Sequence, residues 1–370
     1  MSRPDRRATH RALARIRSLC CLGLGGEIMV PQLLREVCAV IPSPASYFRW
    51  IGPDFAPVKT YSPDEPVSSV EHYLKEFHYK GESTLVRSVA ETHRAPLTRD
   101  AVNYLQQVVK VEPRAYFRSD LYNVVMKPSG RHDMIALRIR QAGRPLGSLC
   151  VGRAAHDPPF APGDYRLLES IAGFIAHGMA RAPDIAPSFV DDGDHGLLLA
   201  TPDGRVQHAS DRGRHLLALA LDPSQSRHPT WPNTRGPVPD LARLCKCLLD
   251  VASGEAGQPP LLHRRNPWGE FILRAYWLEP TDGTEPTRHV AITIKQRVPR
   301  TLAAWRRVEE LPLTGQEKWF CLLLARDPAR KDFADAMGVS PATTTTHLRN
   351  IFTKLDVHSR AELVAVLQPH

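Results

Sequence analysis

The sequence predicts a multi-domain chain in which two α+β domains precede an all-α domain of four helices. A length of 370 residues allows two or three domains of roughly 100–200 residues each. Strand pairs bracketed by helical patterns occur twice, whereas the last section shows helical spacing alone. The expected sections are a basic N-terminal helix or tail at 1–26, α+β domains at 27–181 and 191–298, a helical connector at 299–312, and the all-α domain at 313–370.

Composition and charge favour a soluble, cytoplasmic protein with an anionic partner. No run of about 18 apolar residues occurs, so we expect no membrane span. The formal net charge of +9 and the pI near 9.3 favour nucleic acid, although six arginines fall within the first 17 residues. Seven scattered cysteines are typical of reduced thiols in a cytoplasm, and no Cys/His spacing indicates a metal site.

The N-terminal stretch "MSRPDRRATHRALARIRSLCCLGLGG" is arginine-rich and contains one acidic residue. A targeting peptide is one interpretation, but the apolar part is short and no small-residue cleavage site follows. A frayed basic helix leading into the first domain is the alternative that we expect.

The section at 27–181 is predicted to be α+β from its own patterns. The stretch "VPQLLREVCAVI" has an apolar stripe with helical spacing, and "ASYFRWIG" is a strand-like aromatic run. Alternating apolar residues in "MIALRIRQAGRPLGSLCVGR", around a turn at Gly143, predict a β-hairpin. The stretch "PGDYRLLESIAGFIAHGMA" predicts a closing amphipathic helix.

This order of elements resembles a GAF domain, in which a central hairpin is followed by a Phe, a short acidic turn and a closing helix. The residues at those places are Phe160, Gly163, Asp164, Leu168 and Ile171. The resemblance implies a domain that binds a small molecule, a chromophore or nothing known, and no chromophore-attachment signature or cofactor is evident. Four aromatic residues are either effector-binding or part of the core: Tyr47, Phe48, Trp50 and Tyr61.

A proline-rich hinge, "RAPDIAPSFVDDGD", precedes the section at 191–298. There a strand at Leu197–Leu199, a turn at Asp203-Gly204 and a helix in "DRGRHLLALAL" come before two strands that flank "EPTDGTEPT". The stretch "PSQSRHPTWPNTRGPVPD" between them is predicted to be a loop. The arrangement resembles a PAS-like domain, which implies either a ligand-binding module or a dimerisation and relay module without a ligand.

Helix start and stop signals divide the last section. The connector "TLAAWRRVEE" is either a dimerisation or signalling helix or a packed linker. Thr314 and Glu317 form a capping-box pattern for the first helix of the all-α domain. A second helix, "RKDFADAM", is expected to stop at Gly338, Ser340 is expected to cap the third, and the fourth is expected to begin near Ser359. Two short helices joined by such a turn form a helix-turn-helix unit.

This section resembles the LuxR-type (GerE-like) DNA-binding domain over about 55 residues. The matching positions are Leu313, Thr314, Glu317, Ala334, "MGVSP" at 337–341, Thr343, His347, Asn350-Ile351, Lys354-Leu355 and "VHSRAELV" at 357–364. The resemblance implies a recognition helix in the major groove of double-stranded DNA and a dimer formed through the fourth helix, with the upstream domains as the alternative source of the dimer. The chain departs from the family in "RDPAR", where a glycine is usual, and in the threonines at 344–346.

The candidate DNA-binding residues lie on and beside the third helix: Ser340, Thr343, Thr345, Thr346, Arg349, Asn350 and Lys354. Thr344 precedes Leu348 by four residues and is assigned to the inward face. Arginine can hold guanine by two hydrogen bonds, and threonine can contact a thymine methyl. Basic and acidic residues nearly balance in 313–363, so phosphate contacts should be few and a homodimer should be needed for tight binding.

The predicted function is a sequence-specific transcriptional regulator whose N-terminal domains respond to a small molecule or partner. RNA polymerase is a further expected partner if the protein is an activator. One alternative is a sensor that acts through protein contacts, with a degenerate helix-turn-helix. An enzyme would have to assemble histidines such as His132, His195, His208 and His263 with Asp133, Asp203 or Asp211, but no catalytic spacing is present. A phosphorylated receiver domain is not indicated, since the βα alternation is missing.

Overall fold

The computed structural model describes residues 6–63, 82–96, 99–180, 188–221, 237–254, 258–278, 289–330 and 332–367. Parts of three predicted connections lie outside these residues. They are the start of the proline-rich hinge, most of the loop that begins at Pro223, and the loop "EPTDGTEPT".

An antiparallel sheet in the order β2–β1–β5–β4–β3 organises the first domain. Its strands are β1 Ala45–Ile51, β2 Pro57–Tyr61, β3 Ala101–Asn103, β4 Asp133–Gln141 and β5 Arg144–Arg153. The predicted hairpin forms between β4 and β5, with Ile135 opposite Val151. Successive side chains of a strand point to opposite faces. Ile135 therefore joins the large apolar core on one face, while Met134 joins a small cluster with Tyr47 on the other.

Both faces of this sheet are covered. The helices are α1 Arg6–Cys20, α2 Gly26–Val40, α3 Glu82–Leu85, α4 Val89–Arg94, α5 Pro113–Arg118 and α6 Pro162–Ala180. Apolar side chains of α1, α2 and α6 enter the large core. The segment from α3 to β4, which includes π-helical turns at Tyr104–Val108 and Leu121–Met126, forms a second apolar cluster.

The expectation that the basic N-terminal helix frays is wrong. Ile16 and Leu19 of α1 are fully buried, and Arg15 forms a bidentate contact with Glu36 of α2, at 2.8 and 2.9 Å. The helix is amphipathic, so its arginines flank an apolar face that packs on α2 and α6.

The second domain repeats the strand order of the first. Its sheet runs β7–β6–β10–β9–β8, which is again second, first, fifth, fourth, third. The elements are β6 Phe189–Ala200, β7 Val206–Ala209, α7 Asp211–Ala220, α8 Pro239–Ala252, β8 Leu261–Asn266, β9 Gly269–Leu278 and β10 His289–Pro299. Helix α7 packs closely on β6. The approach is so close that a Cβ atom at Gly196 would come within 2.2 Å of the backbone of Gly213.

The connector is a packed helix, α9 Arg300–Glu310, with Leu302, Trp305 and Val308 on its buried side. The last section contains α10 Gly315–Arg326, α11 Ala334–Met337, α12 Pro341–Leu355 and α13 Arg360–Val366. The predicted helix "RKDFADAM" is shorter than expected, because it begins only at Ala334.

One apolar core runs through all the sections of the chain. It contains Ile16 of α1, Phe271 of β9, Trp305 of α9 and Ile351 of α12. The indole N–H of Trp305 donates to the hydroxyl of Ser18, at 2.7 Å. The connector is therefore joined to the N-terminal helix by both packing and a hydrogen bond.

Candidate nucleic-acid interface

The start of the third helix of the last section, α12, is fixed by its cap. Gly338 adopts the left-handed conformation with φ 62°, which ends α11 and turns the chain. The Ser340 hydroxyl accepts from the backbone N–H of Thr343, at 3.2 Å, and Pro341 occupies the first turn. The sequence signals at this turn are confirmed.

Helix α12 has one buried face and one exposed face. Ile351 is fully buried, and Leu348, Phe352 and Leu355 pack partly against the core. Thr344 is half-buried on this side, in agreement with its spacing from Leu348. The exposed face carries Thr345, Thr346, Arg349, Asn350 and Thr353.

The threonine hydroxyls of this helix bond to their own backbone. Thr344, Thr345 and Thr346 donate to the carbonyls four residues earlier, at 3.3, 3.1 and 3.0 Å. Such back-bonding satisfies the hydroxyl proton within the helix. Thr345 and Thr346 therefore present a methyl group and hydroxyl lone pairs to the outside. These groups suit contact with a thymine methyl better than hydrogen-bond donation to a phosphate.

Arg349 supplies the positive charge of this exposed face. Its side chain is exposed, and its carbonyl accepts from the Thr353 hydroxyl, at 3.1 Å. Among the described residues no ion pair holds its guanidinium. Asn350 is exposed beside it, so a guanidinium and an amide are presented together. These two side chains have the hydrogen-bonding capacity for direct base contacts.

The structure gives Lys354 a partner inside the domain. Its ammonium lies 2.6 and 2.9 Å from the carboxylate oxygens of Glu317, whose side chain is only 3% exposed. Burial acts to raise the pKa of Glu317, but hydrogen bonds from Lys354 and Thr314 outweigh it and lower that pKa. Lys354 therefore joins α12 to the capping box of α10, and this ion pair disfavours a phosphate contact, while the prediction that Lys354 binds DNA stays a prediction.

The four aromatic residues named for effector binding do not converge on one cavity. Tyr47 points to one side of the sheet and lines a cavity of about 70 Å³ beneath the segment that begins at α3. Phe48, Trp50 and Tyr61 belong to the large core on the opposite side. Effector binding by this set remains a prediction, and the geometry favours only Tyr47.

Trp50 and Tyr61 instead contact the second domain. The ring of Trp268 lies 5.7 Å from that of Trp50 and 5.3 Å from that of Tyr61, measured between centroids. The Tyr61 hydroxyl is 3.4 Å from Nε2 of His215. Burial, and then the charge of Arg212, lowers the pKa of His215 to about 4, so its ring is neutral at pH 7.

The cavity also contains polar residues that sequence reasoning missed. His93 on α4 is 1% exposed, and its Nε2 lies 2.6 Å from the hydroxyl of Ser148. The guanidinium of Arg138 holds this helix to the sheet by donating to the carbonyls of Thr92 and Ala95, at 3.2 and 3.1 Å. Strand alternation in "ASYFRWIG" could have placed Tyr47 and Arg49 on one face. No local pattern predicted that His93 would lie against that face.

Two of the histidines weighed for catalysis, His132 and His195, contact groups other than the aspartates named with them. His132 lies 2.7 Å from the Tyr122 hydroxyl and stacks on Phe117, whereas His195 contacts its neighbouring backbone at Gly193. Within the described ranges, no group of three or more His, Cys, Asp or Glu residues is arranged to hold a metal. Over the same residues, no helix combines the length and the apolar character that membrane crossing requires.

Comparison with known proteins identifies the last section. Residues 311–367 match the family model described as bacterial regulatory proteins, luxR family. This section is therefore a LuxR-type helix-turn-helix domain, whose family binds DNA. No curated protein matches the chain. The crystal structure of the Escherichia coli DhaR(N)–DhaL complex is similar at 10% identity, over 79% of this chain and 91% of that chain, with a TM-score of 0.25.

Proposed function

We propose that this protein is a sequence-specific, DNA-binding transcriptional regulator that acts as a homodimer. The observation that carries the proposal is the LuxR-type domain at 311–367, with Arg349 and Asn350 exposed beside two threonine methyl groups. Because the charge of this domain is nearly balanced, one copy makes few phosphate contacts. Two copies on a two-fold symmetric operator double those contacts and fix the half-site spacing.

The first two domains act as the sensor. A GAF-like assignment of the first is supported by its central hairpin and closing helix α6, and a PAS-like assignment of the second by its final pair of antiparallel strands. A small molecule in the first domain changes the position of the DNA-binding domain through the second domain and α9. The two positions of the DNA-binding domain are then two states in equilibrium. A ligand shifts that equilibrium only when it binds the two states with different affinity.

The contacts of α9 provide the route for this control. Glu309 near its end is held by Lys318 of α10, at 2.9 Å, and Trp305 is held by Ser18. These contacts of α9 thus join the DNA-binding domain to the N-terminal domain. RNA polymerase is the further partner if the protein activates transcription, and the cytoplasm is the proposed location.

Operator selection from random double-stranded DNA, followed by fluorescence anisotropy on the selected site, tests this function. We expect binding to the selected sequence to exceed binding to its scrambled version and to weaken as salt rises. Sedimentation of the complex should give two chains per site. If no sequence is enriched, with or without small molecules present, the helix-turn-helix does not read DNA and the protein-contact alternative stands.

A further inference from the structure

The cavity beneath the first sheet is small. Ser148 and Cys150 of β5 line it from the sheet, and His93 of α4 lines it from the segment that covers the sheet. Its volume of about 70 Å³, at about 10–15 Å³ for each water-sized group, holds roughly five non-hydrogen atoms. A nucleotide or a tetrapyrrole is therefore too large for this space.

His93 is uncharged at pH 7. Its side chain is 1% exposed, and burial, followed by the charges of Arg140, Arg138 and Arg49, lowers its pKa to about 4. A neutral imidazole carries one proton, on either Nδ1 or Nε2. The partners of the two nitrogens therefore decide which of them is a donor.

A buried hydrogen bond fixes this proton. Nε2 of His93 lies 2.6 Å from the hydroxyl of Ser148, which is 8% exposed and has no other hydrogen-bond partner among the described residues. The Ser148 proton is satisfied only if it is donated to Nε2, so the ring proton lies on Nδ1. That Nδ1 is buried and has no partner in the described part of the chain. It is a donor that awaits an acceptor.

A second polar group without a partner lines the same cavity. The Thr60 hydroxyl on β2 is buried and makes no hydrogen bond within the described ranges. Thr60 lies opposite Arg49, and Arg49 lies opposite Ser148, so the three side chains share one face of the sheet. A hydrocarbon in the cavity would leave Thr60 and His93 unsatisfied, whereas a ligand oxygen can accept from His93.

The arginines of the cavity are not assigned to a ligand. Arg49 and Arg131 line the cavity, but each already has an interaction partner of its own. Arg87, which also lines it, is exposed to solvent. The buried polar groups that remain for a ligand are therefore the uncharged His93 and Thr60. Burial of an ionised group without a charged partner is costly, so these groups favour an uncharged ligand.

The remaining wall is apolar. Val108, Val125, Met126 and Met134 line it. A buried water molecule needs about two to four polar partners, which these side chains do not supply. The wall therefore favours an organic ligand, whose alkyl part lies against it, over water or an inorganic ion.

We propose that this cavity binds a small uncharged organic molecule, a ketone or an alcohol of about four to six non-hydrogen atoms. Nδ1 of His93 donates to the ligand oxygen, and the alkyl part lies against Val108 and Met134. The shared chemistry of the two compounds is a neutral oxygen acceptor on a short carbon chain. This inference deepens the sensor role proposed above for the first domain and rests on it.

Methyl NMR of the full chain, with labelled methionines, tests the ligand class. Met126 and Met134 report on the cavity, and Met29 in the large core serves as an internal control. Butanone and sec-butanol are the neutral ligands. Propionate and sec-butylammonium are charged analogues with the same number of non-hydrogen atoms. Because the affinity that each ligand atom can supply is limited, the titration extends to about 50 mM.

We expect butanone, sec-butanol or both to shift the signals of Met126 and Met134 saturably, while Met29 stays unchanged. The charged analogues should bind at least about tenfold more weakly, because either charge would be buried without a partner. A charged analogue that binds within tenfold of the better neutral compound would overturn the proposal. So would the absence of any saturable shift at the two cavity methionines.

Two variants locate the binding and its donor. His93→Phe keeps a ring but has no N–H, so the neutral ligand should bind about 5- to 100-fold more weakly. His156→Phe, at a side chain that is 87% exposed, is the matched control and should leave the affinity unchanged. Ala136→Leu keeps every polar group and fills the space, so it should abolish binding. Circular dichroism confirms that each variant is folded. Unchanged affinity in folded His93→Phe or folded Ala136→Leu would overturn the assignment.

Operator binding of the same preparations separates this inference from the proposed function. A chain that binds its selected DNA but neither neutral compound contradicts the ligand class alone. A chain that binds a neutral compound but no DNA contradicts the regulator function, while the cavity assignment stands.

Discussion

At the scale of single residues, α12 depends on one arginine for its outward positive charge. The hydroxyl protons of Thr345 and Thr346 are already bonded to carbonyls within the helix, and the Lys354 ammonium is bonded to Glu317. Arg349 is exposed and has no such partner in the described part of the chain. Sequence discrimination should therefore be concentrated in this side chain.

Replacement of Arg349 by alanine tests whether sequence discrimination depends on this side chain. We expect discrimination at one base pair of the selected operator to fall by about 1–3 kcal/mol, because a bidentate contact to guanine is lost. Anisotropy against operators changed one position at a time measures the loss. Arg144→Ala removes an equal charge from an exposed position of β5, outside the LuxR-type domain, and serves as the control. An equal weakening on every operator would instead make Arg349 a phosphate contact.

Lys354, in contrast, is expected to stabilise the domain and not to contact DNA phosphates. In Lys354→Met the Glu317 carboxylate stays buried without its cation, so local stability should fall by about 1–3 kcal/mol at pH 7. Hydrogen exchange of α10 and α12 measures the change. The salt dependence of DNA binding should stay the same, whereas loss of a phosphate contact would reduce its slope by about one.

The pH dependence of the same variant has a definite sign. The pKa of Glu317 is lowered in the folded chain, so the pair stabilises above the unfolded value of about 4.3 and its contribution is lost as pH falls through the folded pKa. The stability difference between wild type and Lys354→Met should therefore shrink in acid. A difference that is constant down to acid pH would show that the pair carries no charge interaction.

At the scale of elements, the sequence patterns predict the strands of the two sheets better than they predict the segments that cover those sheets. Helix α2, strand β1, the β4–β5 hairpin and α6 follow from apolar spacing, and the caps of α10 and α12 follow from residue type. The segment from α3 to the turn at Leu121–Met126 has no sustained period, so its position over the sheet is not predictable. A period of two also does not show which face of a doubly covered strand contains a cavity. Alternation along β1 does place Tyr47 and Phe48 on opposite faces, so these two neighbours do not line one pocket.

The contact of β2 with the second domain is expected to weaken in acid. The folded pKa of His215 is about 4, lowered first by burial, against about 6.5 in an unfolded chain. Below pH 6.5 the unfolded state therefore binds a proton that the folded state excludes, and stability is lost as pH falls towards 4. His215→Gln removes this titration. The Tm of the variant relative to that of wild type should therefore rise as the pH is lowered from 7 to 5. A constant Tm difference would mean that His215 titrates alike in both states.

At the scale of the whole molecule, the sections share one core and are joined by α9. Both α1 and α9, which the sequence assigns to sections of their own, contribute buried residues to this shared core. Local periodicity identified α9 as amphipathic but could not show which partner covers its apolar side. The bond between Trp305 and Ser18 joins residues 287 apart in sequence, beyond the reach of any local pattern.

A double-mutant cycle measures how firmly α9 is held. Trp305→Phe keeps most of the buried ring but loses the indole donor, and Ser18→Ala removes the acceptor. We expect each to lower the stability of α9 against local opening by about 1 kcal/mol, with the double variant no worse than either alone. Hydrogen exchange of the α9 peptide gives these values. Additive losses would show that the two groups do not interact.

Strand β2 belongs to two environments at once. Thr60 lines the cavity, whereas its neighbour Tyr61 packs on Trp268 of the second domain, because consecutive residues of a strand face opposite ways. If a small molecule in the cavity changes the strength of the contact between Tyr61 and the second domain, thermodynamic reciprocity requires that contact to change the affinity for the small molecule by the same factor. Weakening that contact, as in Trp268→Ala, should therefore change the dissociation constant of a ligand in the cavity, which lies on the other side of the sheet. The sensitivity of the sensor is then a property of two domains and cannot be assigned to the cavity alone.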